Sequence, residues 1–319
     1  MNRALLPANS VIAANAMSDY IRETPLDFSP HFSELTGARV WFKLENLQHT
    51  GSFKLRGAFN KILSLSEDER EKGCVTASSG NHGAACAYAM QKLGVRGIVF
   101  VPEQTSSTKV DAIKRAGAEI RFFGTDGLDT ENRAREYAGE QGMAYLSPYN
   151  DEQVIVGQGT CGVEIAKQLP DVEAAFVAVG GGGLISGVGA FLKSVNTSLK
   201  LVACQPAASA VMTESVKAGE ILDIPSEKTL SDGTAGGIEA GAITFDLCRE
   251  LVDDYVVVSE EEIAGAMREF IDSHHMLLEG AAGVAIAGLM QSAASYQGMN
   301  VVVIICGGNI SRETLKTVI

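Results

Sequence analysis

The feature that most constrains the fold of this chain is a series of short, almost uninterrupted apolar runs that alternate with helical patterns. These runs occupy residues 74–77, 97–101, 119–123, 175–179, 200–204 and 300–306. Apolar runs without strict alternation are typical of strands that are buried on both faces. Strands that alternate with helices along the chain predict an α/β fold in which helices cover parallel sheets.

The segments between these runs repeat apolar residues with the period of a helix. Helices are expected over residues 82–92, 108–116, 128–140, 154–168 and 260–273. The last of them follows Ser259, with Glu262 three positions on, which is the pattern of a capping box. Four strand–helix units lie between residues 73 and 147, and the turn 148–151 follows them. We therefore predict a small α/β domain, 73–147, inserted into a large domain formed by 1–72 and 148–319.

Composition and charge exclude several kinds of partner. The chain has 39 acidic and 26 basic residues, a formal net charge of −13, and no basic cluster that would match a nucleic-acid backbone. Its six cysteines lack metal or redox spacing, which indicates reduced thiols. The N-terminal residues lack the apolar stretch of a signal peptide, and four glycines interrupt the uncharged stretch 174–192. We expect a cytoplasmic protein with no nucleic-acid or membrane partner.

Three glycine-bearing loops follow predicted strands and precede predicted helices, where open α/β sheets bind their ligands. They are 78–83 (Ser-Ser-Gly-Asn-His-Gly), 180–184 (four glycines and Leu184) and 306–309 (Cys-Gly-Gly-Asn). The backbone N–H groups of the four-glycine loop are suited to an anion such as phosphate, although a tightly packed turn would also need glycine. The spacing matches neither a dinucleotide fingerprint nor a P-loop.

A lysine embedded among aromatic and small residues begins another predicted helix. The segment 45–58 reads Glu-Asn-Leu-Gln-His-Thr-Gly-Ser-Phe-Lys-Leu-Arg-Gly-Ala, with Lys54 near its centre. Burial would lower the pKa of this amine and make it a nucleophile, whereas an isolated lysine at a helix start is more often a solvated charge.

Together, the lysine segment, the Ser-Gly-Asn-His loop and the four-glycine loop closely resemble the serine/threonine dehydratase group of fold type II pyridoxal-phosphate enzymes. The resemblance covers almost the whole chain, and the motifs occur in the family's order. It implies a fold like that of the tryptophan synthase β subunit, with two open parallel-sheet domains and the cofactor, pyridoxal 5′-phosphate, between them. It also implies a homodimer, although no sequence feature establishes one.

The resemblance assigns roles to individual residues. Lys54 would form a Schiff base with the cofactor and then remove the Cα proton of the amino-acid substrate. The other cofactor-binding residues would be Phe53, Asn81, Gly180, Gly181, Gly182, Gly183, Leu184 and Cys306. The substrate carboxylate would be bound by the loop that contains Ser78, Ser79, Gly80 and His82. Glu279 matches a further family motif near the cofactor and is assigned a supporting role.

Cys306 and Ser79 bear on the type of reaction. By resemblance, Cys306 faces the pyridine nitrogen, where a neutral group makes the cofactor a weaker electron sink and favours β-elimination; its simpler interpretation is a small buried residue at a strand end. Ser79 matches the hydroxyl that acts on the opposite cofactor face in serine racemases. Its simpler interpretation is a cap for the helix that starts near Asn81.

The leading interpretation is a dehydratase, or ammonia-lyase, of a 3-hydroxy amino acid such as L-threonine or L-serine. The alternatives are a serine racemase or 3-hydroxyaspartate dehydratase that uses Ser79, or a specialised dehydratase in the catabolism of a compatible solute such as hydroxyectoine. A non-catalytic binding protein on this fold would have a disabled lysine site, which the intact signature argues against.

The sequence after the strand that ends at Cys204 bears on metal binding. Relatives with a divalent cation at this point carry two carboxylates, whereas this chain has Gln205 followed by Pro-Ala-Ala-Ser-Ala-Val. Hard cations need charged oxygen ligands, so we predict no metal there.

Overall fold

The computed structural model describes residues 2–125 and 127–319, in which the chain forms two sheets flanked by helices. The strands are Leu26–Phe28 (β1), Arg39–Lys43 (β2), Cys74–Ala77 (β3), Gly97–Val101 (β4), Glu119–Phe122 (β5), Ala144–Tyr145 (β6), Ala174–Ala178 (β7), Lys200–Pro206 (β8), Asp254–Val258 (β9) and Asn300–Ile304 (β10). The α-helices are Leu6–Ala16 (α1), Pro30–Thr36 (α2), Lys54–Leu63 (α3), Glu67–Lys72 (α4), Asn81–Leu93 (α5), Ser107–Arg115 (α6), Gly127–Gln141 (α7), Glu152–Gln168 (α8), Gly183–Val195 (α9), Val211–Ala218 (α10), Ile243–Leu251 (α11), Glu260–His274 (α12), Gly280–Ser292 (α13) and Arg312–Val318 (α14).

The larger sheet has the order β1-β2-β10-β7-β8-β9, and all neighbours are parallel except β1 and β2. Strands β7 and β10 are buried along their whole length. The smaller sheet has the order β5-β4-β3-β6 and is entirely parallel. These sheets confirm the predicted α/β fold, including strands that are buried on both faces.

All six predicted strands are present, and the carboxyl ends of β8 and β10 differ from the prediction by two residues, whereas the other ends agree to within one residue. Strand β8 runs two residues further, through Gln205 and Pro206, because these residues pair with β9, a strand that the apolar runs did not indicate. Strand β10 stops at Ile304, before Cys306. The carbonyl of Cys306 instead accepts a hydrogen bond from the backbone N–H of Phe53, 3.1 Å away.

The five predicted helices are confirmed as α5, α6, α7, α8 and α12, each with ends within two residues of the prediction. The capping box of α12 is also confirmed. Ser259 Oγ accepts a hydrogen bond from the Glu262 N–H, and the Glu262 carboxylate accepts one from the Ser259 N–H. Within the described residues, no helix is both long enough and apolar enough to cross a membrane.

The main hydrophobic core lies between the larger sheet and its helices, and a second cluster lies under α1, α3 and α5. The carboxyl ends of β3, β7 and β10 lead directly into the three glycine-bearing loops that the sequence singles out. All six cysteines are buried and unpaired. The three loops are therefore held on rigid, buried strands, as a binding site requires.

Candidate active site

Lys54 is the first residue of α3 and is half-buried. Nζ donates a hydrogen bond to the carbonyl of Pro148, 2.9 Å away, and lies 5.2 Å from the centre of the Phe53 ring. Burial lowers the pKa of Lys54 to about 8, against the opposing effect of negative charges such as that of Glu279. The amine is thus not an ordinary solvated charge, and a fraction of it is nucleophilic near neutral pH.

Backbone hydrogen bonds join the loop before Lys54 to the residues that follow β10. Ser52 forms a β-bridge with Gly307, and the N–H of Gly308 donates to the carbonyl of Gly51 at 2.9 Å. Together with the bond between Phe53 and Cys306, these contacts place two of the predicted cofactor-binding residues next to each other. Residues more than 250 positions apart in sequence therefore lie in one small region.

The four-glycine loop connects β7 to α9, and its shape requires glycine. Gly182 has a φ of +84°, a left-handed conformation that side chains disfavour. A Cβ on Gly181 would come within 2.3 Å of the Tyr149 ring. Because the first N–H groups of α9 have no intrahelical acceptors, the loop offers donors and the positive end of a helix dipole to an anion. Leu184 is buried in the first turn of α9.

The Ser78–His82 segment forms the turn between β3 and α5. Gly80 is the N-cap of α5, no side chain caps this helix, and Ser78 Oγ accepts a hydrogen bond from the Gly80 N–H at 3.2 Å. The capping interpretation of Ser79 is therefore wrong. The His82 ring is buried against the carbonyl of Leu146, 2.9 Å away, and burial lowers its pKa to about 3. His82 is neutral, so this segment offers an anion no positively charged side chain, and its donors are uncharged groups such as backbone N–H groups and serine hydroxyls.

Asn81, which is partly buried, belongs to a polar cluster with the buried Glu279 and the exposed Asn309 that the sequence did not predict. Its Nδ2 donates to both carboxylate oxygens of Glu279, each at 2.9 Å, and its Oδ1 accepts from Asn309 Nδ2 at 2.7 Å. Burial raises the pKa of Glu279 to about 7, although the bond from Asn81 opposes the shift. Glu279 thus holds the Asn81 amide. The sequence feature that could have identified Asn309 as a site residue is its place in the third glycine-bearing loop.

Cys306 is buried at the start of that loop. Burial, reinforced by the negative charge of Glu279, raises the pKa of the Cys306 thiol well above its ordinary value. The thiol therefore stays protonated and neutral.

Tyr149 contacts both the four-glycine loop and the segment that carries Glu239. That segment in turn pairs with helix α7, beside the smaller sheet. Its hydroxyl accepts a hydrogen bond from the Glu239 N–H at 2.9 Å, while its ring packs against Gly181. The Glu239 carboxylate pairs with Arg135 of α7 at 2.8 Å, and Arg135 also pairs with Glu131. Sequence reasoning missed these residues because their pairing joins positions about 100 apart.

The side chain of Gln205, near the carboxyl end of β8, forms hydrogen bonds within the protein. Gln205 Nε2 donates to the carbonyl of Val179 at 3.0 Å, and its Oε1 accepts from the backbone and hydroxyl of Thr213, both at 2.7 Å. Across the described ranges, no group of three or more His, Cys, Asp or Glu side chains is arranged to hold a metal ion. The absence of a divalent cation stays a prediction.

Comparison with known proteins gives a consistent result. The family model described as "Pyridoxal-phosphate dependent enzyme" matches residues 17–307. The L-threonine ammonia-lyase of Thermotoga maritima is 38% identical over 307 residues, which cover 96% of this chain and 76% of that protein. Two solved structures are similar: the processed form of threonine deaminase isoform 2 from Solanum lycopersicum (TM-score 0.93, 35% identity, 97% of this chain and 91% of that one) and maize serine racemase (TM-score 0.92, 31% identity, 98% and 95%).

Proposed function

Because this chain belongs to the family of pyridoxal-phosphate dependent enzymes, we propose that it is a lyase that converts a 3-hydroxy amino acid such as L-threonine or L-serine into a 2-oxo acid and ammonia. The observation that carries the proposal is the Lys54 amine, whose pKa burial lowers to about 8. Such an amine serves both as an attachment point and as a base. The names of the similar threonine ammonia-lyase and threonine deaminase support this substrate class.

The residues present fit pyridoxal phosphate. The four-glycine loop packs so closely on the Tyr149 ring that a Cβ on Gly181 would come within 2.3 Å of it, and the loop presents backbone donors suited to a phosphate. The reactive amine of Lys54 suits an aldehyde. The residues that would hold the group are Lys54 at the aldehyde carbon, Phe53 against the ring, Asn81 at the ring oxygen, Cys306 at the ring nitrogen, and Gly180, Gly181, Gly182, Gly183 and Leu184 at the phosphate.

When bound, pyridoxal phosphate withdraws electrons from the α-carbon of the substrate and makes its proton easier to remove. Lys54 Nζ accepts that proton, and its pKa near the working pH suits a general base. The carbonyl of Pro148 holds Nζ in place. The backbone N–H groups of the loop that contains Ser78, Ser79, Gly80 and His82 bind the substrate carboxylate. The neutral Cys306 thiol favours prompt departure of the β-hydroxyl, after which the resulting enamine hydrolyses to the 2-oxo acid and ammonia.

Ser79 supports a second candidate activity, the racemisation of serine or the dehydration of 3-hydroxyaspartate. Because no side chain caps α5, the Ser79 hydroxyl is not committed to a structural role there. A hydroxyl on the face opposite Lys54 would supply the proton that inverts the α-carbon. The similarity to maize serine racemase agrees with this candidate. A specialised dehydratase of a larger 3-hydroxy amino acid from a compatible solute such as hydroxyectoine would use the same chemistry as the leading proposal.

We extend the proposal to the organisation of the enzyme. The smaller sheet draws all its strands from residues 74–145, which supports the proposed domain 73–147 inserted between 1–72 and 148–319. The glycine loops of β7 and β10 and the Ser78–His82 turn of β3 come from different sheets, so the cofactor would lie between the domains. A homodimer and a cytoplasmic location complete the proposal.

The decisive experiment combines labelling with a substrate panel. The protein reconstituted with pyridoxal phosphate should be yellow, and borohydride should abolish the colour and fix the label on Lys54, as peptide mass spectrometry would show. A panel of L- and D-3-hydroxy amino acids, with 2-oxo acid, ammonia and product chirality measured, would then define the substrate. A colourless protein that binds no pyridoxal phosphate would refute the proposal, as would substantial turnover by Lys54→Ala.

A further inference from the structure

A cluster of four charged side chains is buried beneath the start of α3. Arg56, Glu45 and Lys43 are fully buried, and Glu164 is nearly so. The Arg56 guanidinium forms two-point contacts with both carboxylates, at 2.7 Å for each Glu45 contact and at 2.6 and 2.8 Å for the Glu164 contacts. Two-point pairs of this kind are directional as well as strong.

The cluster is balanced in charge and in hydrogen bonds. Lys43 Nζ pairs with Glu164 and also donates to the carbonyl of Thr24 at 2.7 Å. The Thr24 hydroxyl donates to Glu45, and Arg56 donates to Thr160 Oγ1 at 3.1 Å. Two cations therefore face two anions. Removal of one charge would leave another buried without a partner, which is strongly destabilising.

The position of the Arg56–Glu45 pair ties it to Lys54. The two residues are 11 positions apart and enclose the loop that carries Lys54. Glu45 lies in a short 3₁₀ turn after β2, and Arg56 lies in the first turn of α3. The ion pair therefore joins the two ends of the segment 45–56, called the lysine loop below.

The first turn of α3 lacks a side-chain N-cap, so it is held by contacts with other parts of the fold, among them the bonds that join the preceding loop to the end of β10. Phe53 is the N-cap, and no side chain caps the helix. The first N–H groups of a helix have no intrahelical acceptors, so an uncapped first turn tends to fray. Lys54 lies in this turn, and its amine must keep a fixed direction to react at one atom.

We propose that the Arg56–Glu45 ion pair is a positioning device that fixes the first turn of α3 and hence the direction of the Lys54 side chain. In this arrangement, Glu164 anchors the same guanidinium to α8 without closing the lysine loop. Arg56 and Glu45 touch neither substrate nor cofactor and act only through Lys54. The inference rests on the role of Lys54 in the proposed function.

The test compares Glu45→Gln with Glu164→Gln, which remove the same charge from opposite sides of one guanidinium. The cofactor-free proteins are mixed with pyridoxal phosphate, and the yield of borohydride-fixed label on Lys54 is followed over time by peptide mass spectrometry. Thermal unfolding and the visible circular dichroism of the bound cofactor are recorded in parallel. We expect both variants to unfold about 5 to 15 °C lower than wild type. Only Glu45→Gln should slow labelling, by about tenfold or more, and alter the visible dichroism band.

Equal labelling rates in both variants, whether normal or equally slowed, would overturn the inference. If wild type is not labelled at Lys54, the proposed function fails instead, so the two failures are distinguishable. Should either glutamine variant fail to fold, Glu45→Asp and Glu164→Asp keep the charge but shorten the side chain, and they carry the same comparison. Arg56→Lys, which cannot form two two-point pairs, should also slow labelling, and normal labelling of Arg56→Lys would count against the inference.

Discussion

Burial of the Lys54 amine lowers the free energy of unfolding of the cofactor-free protein. Burial lowers the pKa of Lys54 from its ordinary 10.5 to about 8. Between these values the unfolded chain binds more protons than the folded one, so the Lys54 contribution to stability rises with pH there and is least favourable below pH 8. Cofactor-free Lys54→Met should therefore unfold several degrees above wild type at pH 7, and the gap should narrow towards pH 10. Thermal unfolding across this pH range checks the prediction, and a gap that is independent of pH would contradict it.

The substitution Ser79→Ala removes a single hydroxyl and distinguishes elimination from racemisation. If Lys54 removes the Cα proton of an L-substrate from one face, elimination needs no acid or base on the other. Ser79→Ala should thus lose little L-substrate dehydration, while racemisation and attack on D-substrates should fall by about 10² to 10⁴. Assays of 2-oxo acid and product chirality measure both reactions.

Ser78→Ala is the control for Ser79→Ala. It removes the hydroxyl that accepts a hydrogen bond from the Gly80 N–H, so its effect on activity shows how much the loop shape matters. If L-substrate dehydration fell as far as racemisation in Ser79→Ala, Ser79 would belong to carboxylate binding or to the loop. The proton donor on the opposite face would then be another group.

At the scale of elements, the loop between β7 and α9 depends on the absence of a side chain at Gly181. A Cβ there would lie 2.3 to 2.6 Å from three atoms of the Tyr149 ring. Gly181→Ala should weaken pyridoxal phosphate binding at least tenfold, measured by absorbance titration, because either the loop or Tyr149 must move. Gly237→Ala is the matched control, since a Cβ at Gly237 would meet no atom within 4 Å. Equal losses in the two variants would contradict this account.

The carboxyl end of β8 and the residues that follow it yield a prediction about metals. Gln205 directs its amide to Val179 and Thr213, and the carboxylates that a hard cation would need are missing from residues 205–211. Treatment with a chelator should leave turnover unchanged, and added Mg²⁺ should not raise it. A strong and reversible divalent requirement that Gln205→Ala abolishes would overturn the prediction.

At the scale of the whole molecule, Arg135 joins α7 to the loop that carries Glu239. The pair is partly exposed, so its contribution to stability is about 1 kcal/mol or less. Through Tyr149 it nevertheless connects α7 to the four-glycine loop. Arg135→Gln should raise KM for the amino acid several-fold with little change in kcat or unfolding temperature.

Arg133→Gln is the control for this change, because Arg133 pairs with Glu136 and Glu140 of its own helix. Steady-state kinetics of both variants provide the measurement. An equal rise in KM in Arg133→Gln would show that the effect is not specific to the contact with Glu239.

The sequence by itself determined the class of fold and the family. Apolar runs identify strands buried on both faces because such strands admit few polar residues, and the ordered motifs around Lys54, Asn81 and the four glycines identify the family that the comparisons confirm. Strand β1 escaped prediction because it has only three residues and its exposed positions break the apolar pattern.

Only the tertiary structure decided how the predicted residues are held. The Ser79 capping role failed because a cap depends on backbone geometry that a preference for serine cannot supply. The bonds from Asn81 to Glu279, from Lys54 to the Pro148 carbonyl and from Arg56 to Glu45 and Glu164 each join distant parts of the chain. Burial, which the fold imposes, shifts the pKa values of Lys54 and Glu279 towards neutrality. Pairings and desolvation of this kind arise when distant parts of the chain pack together, so local sequence patterns do not predict them.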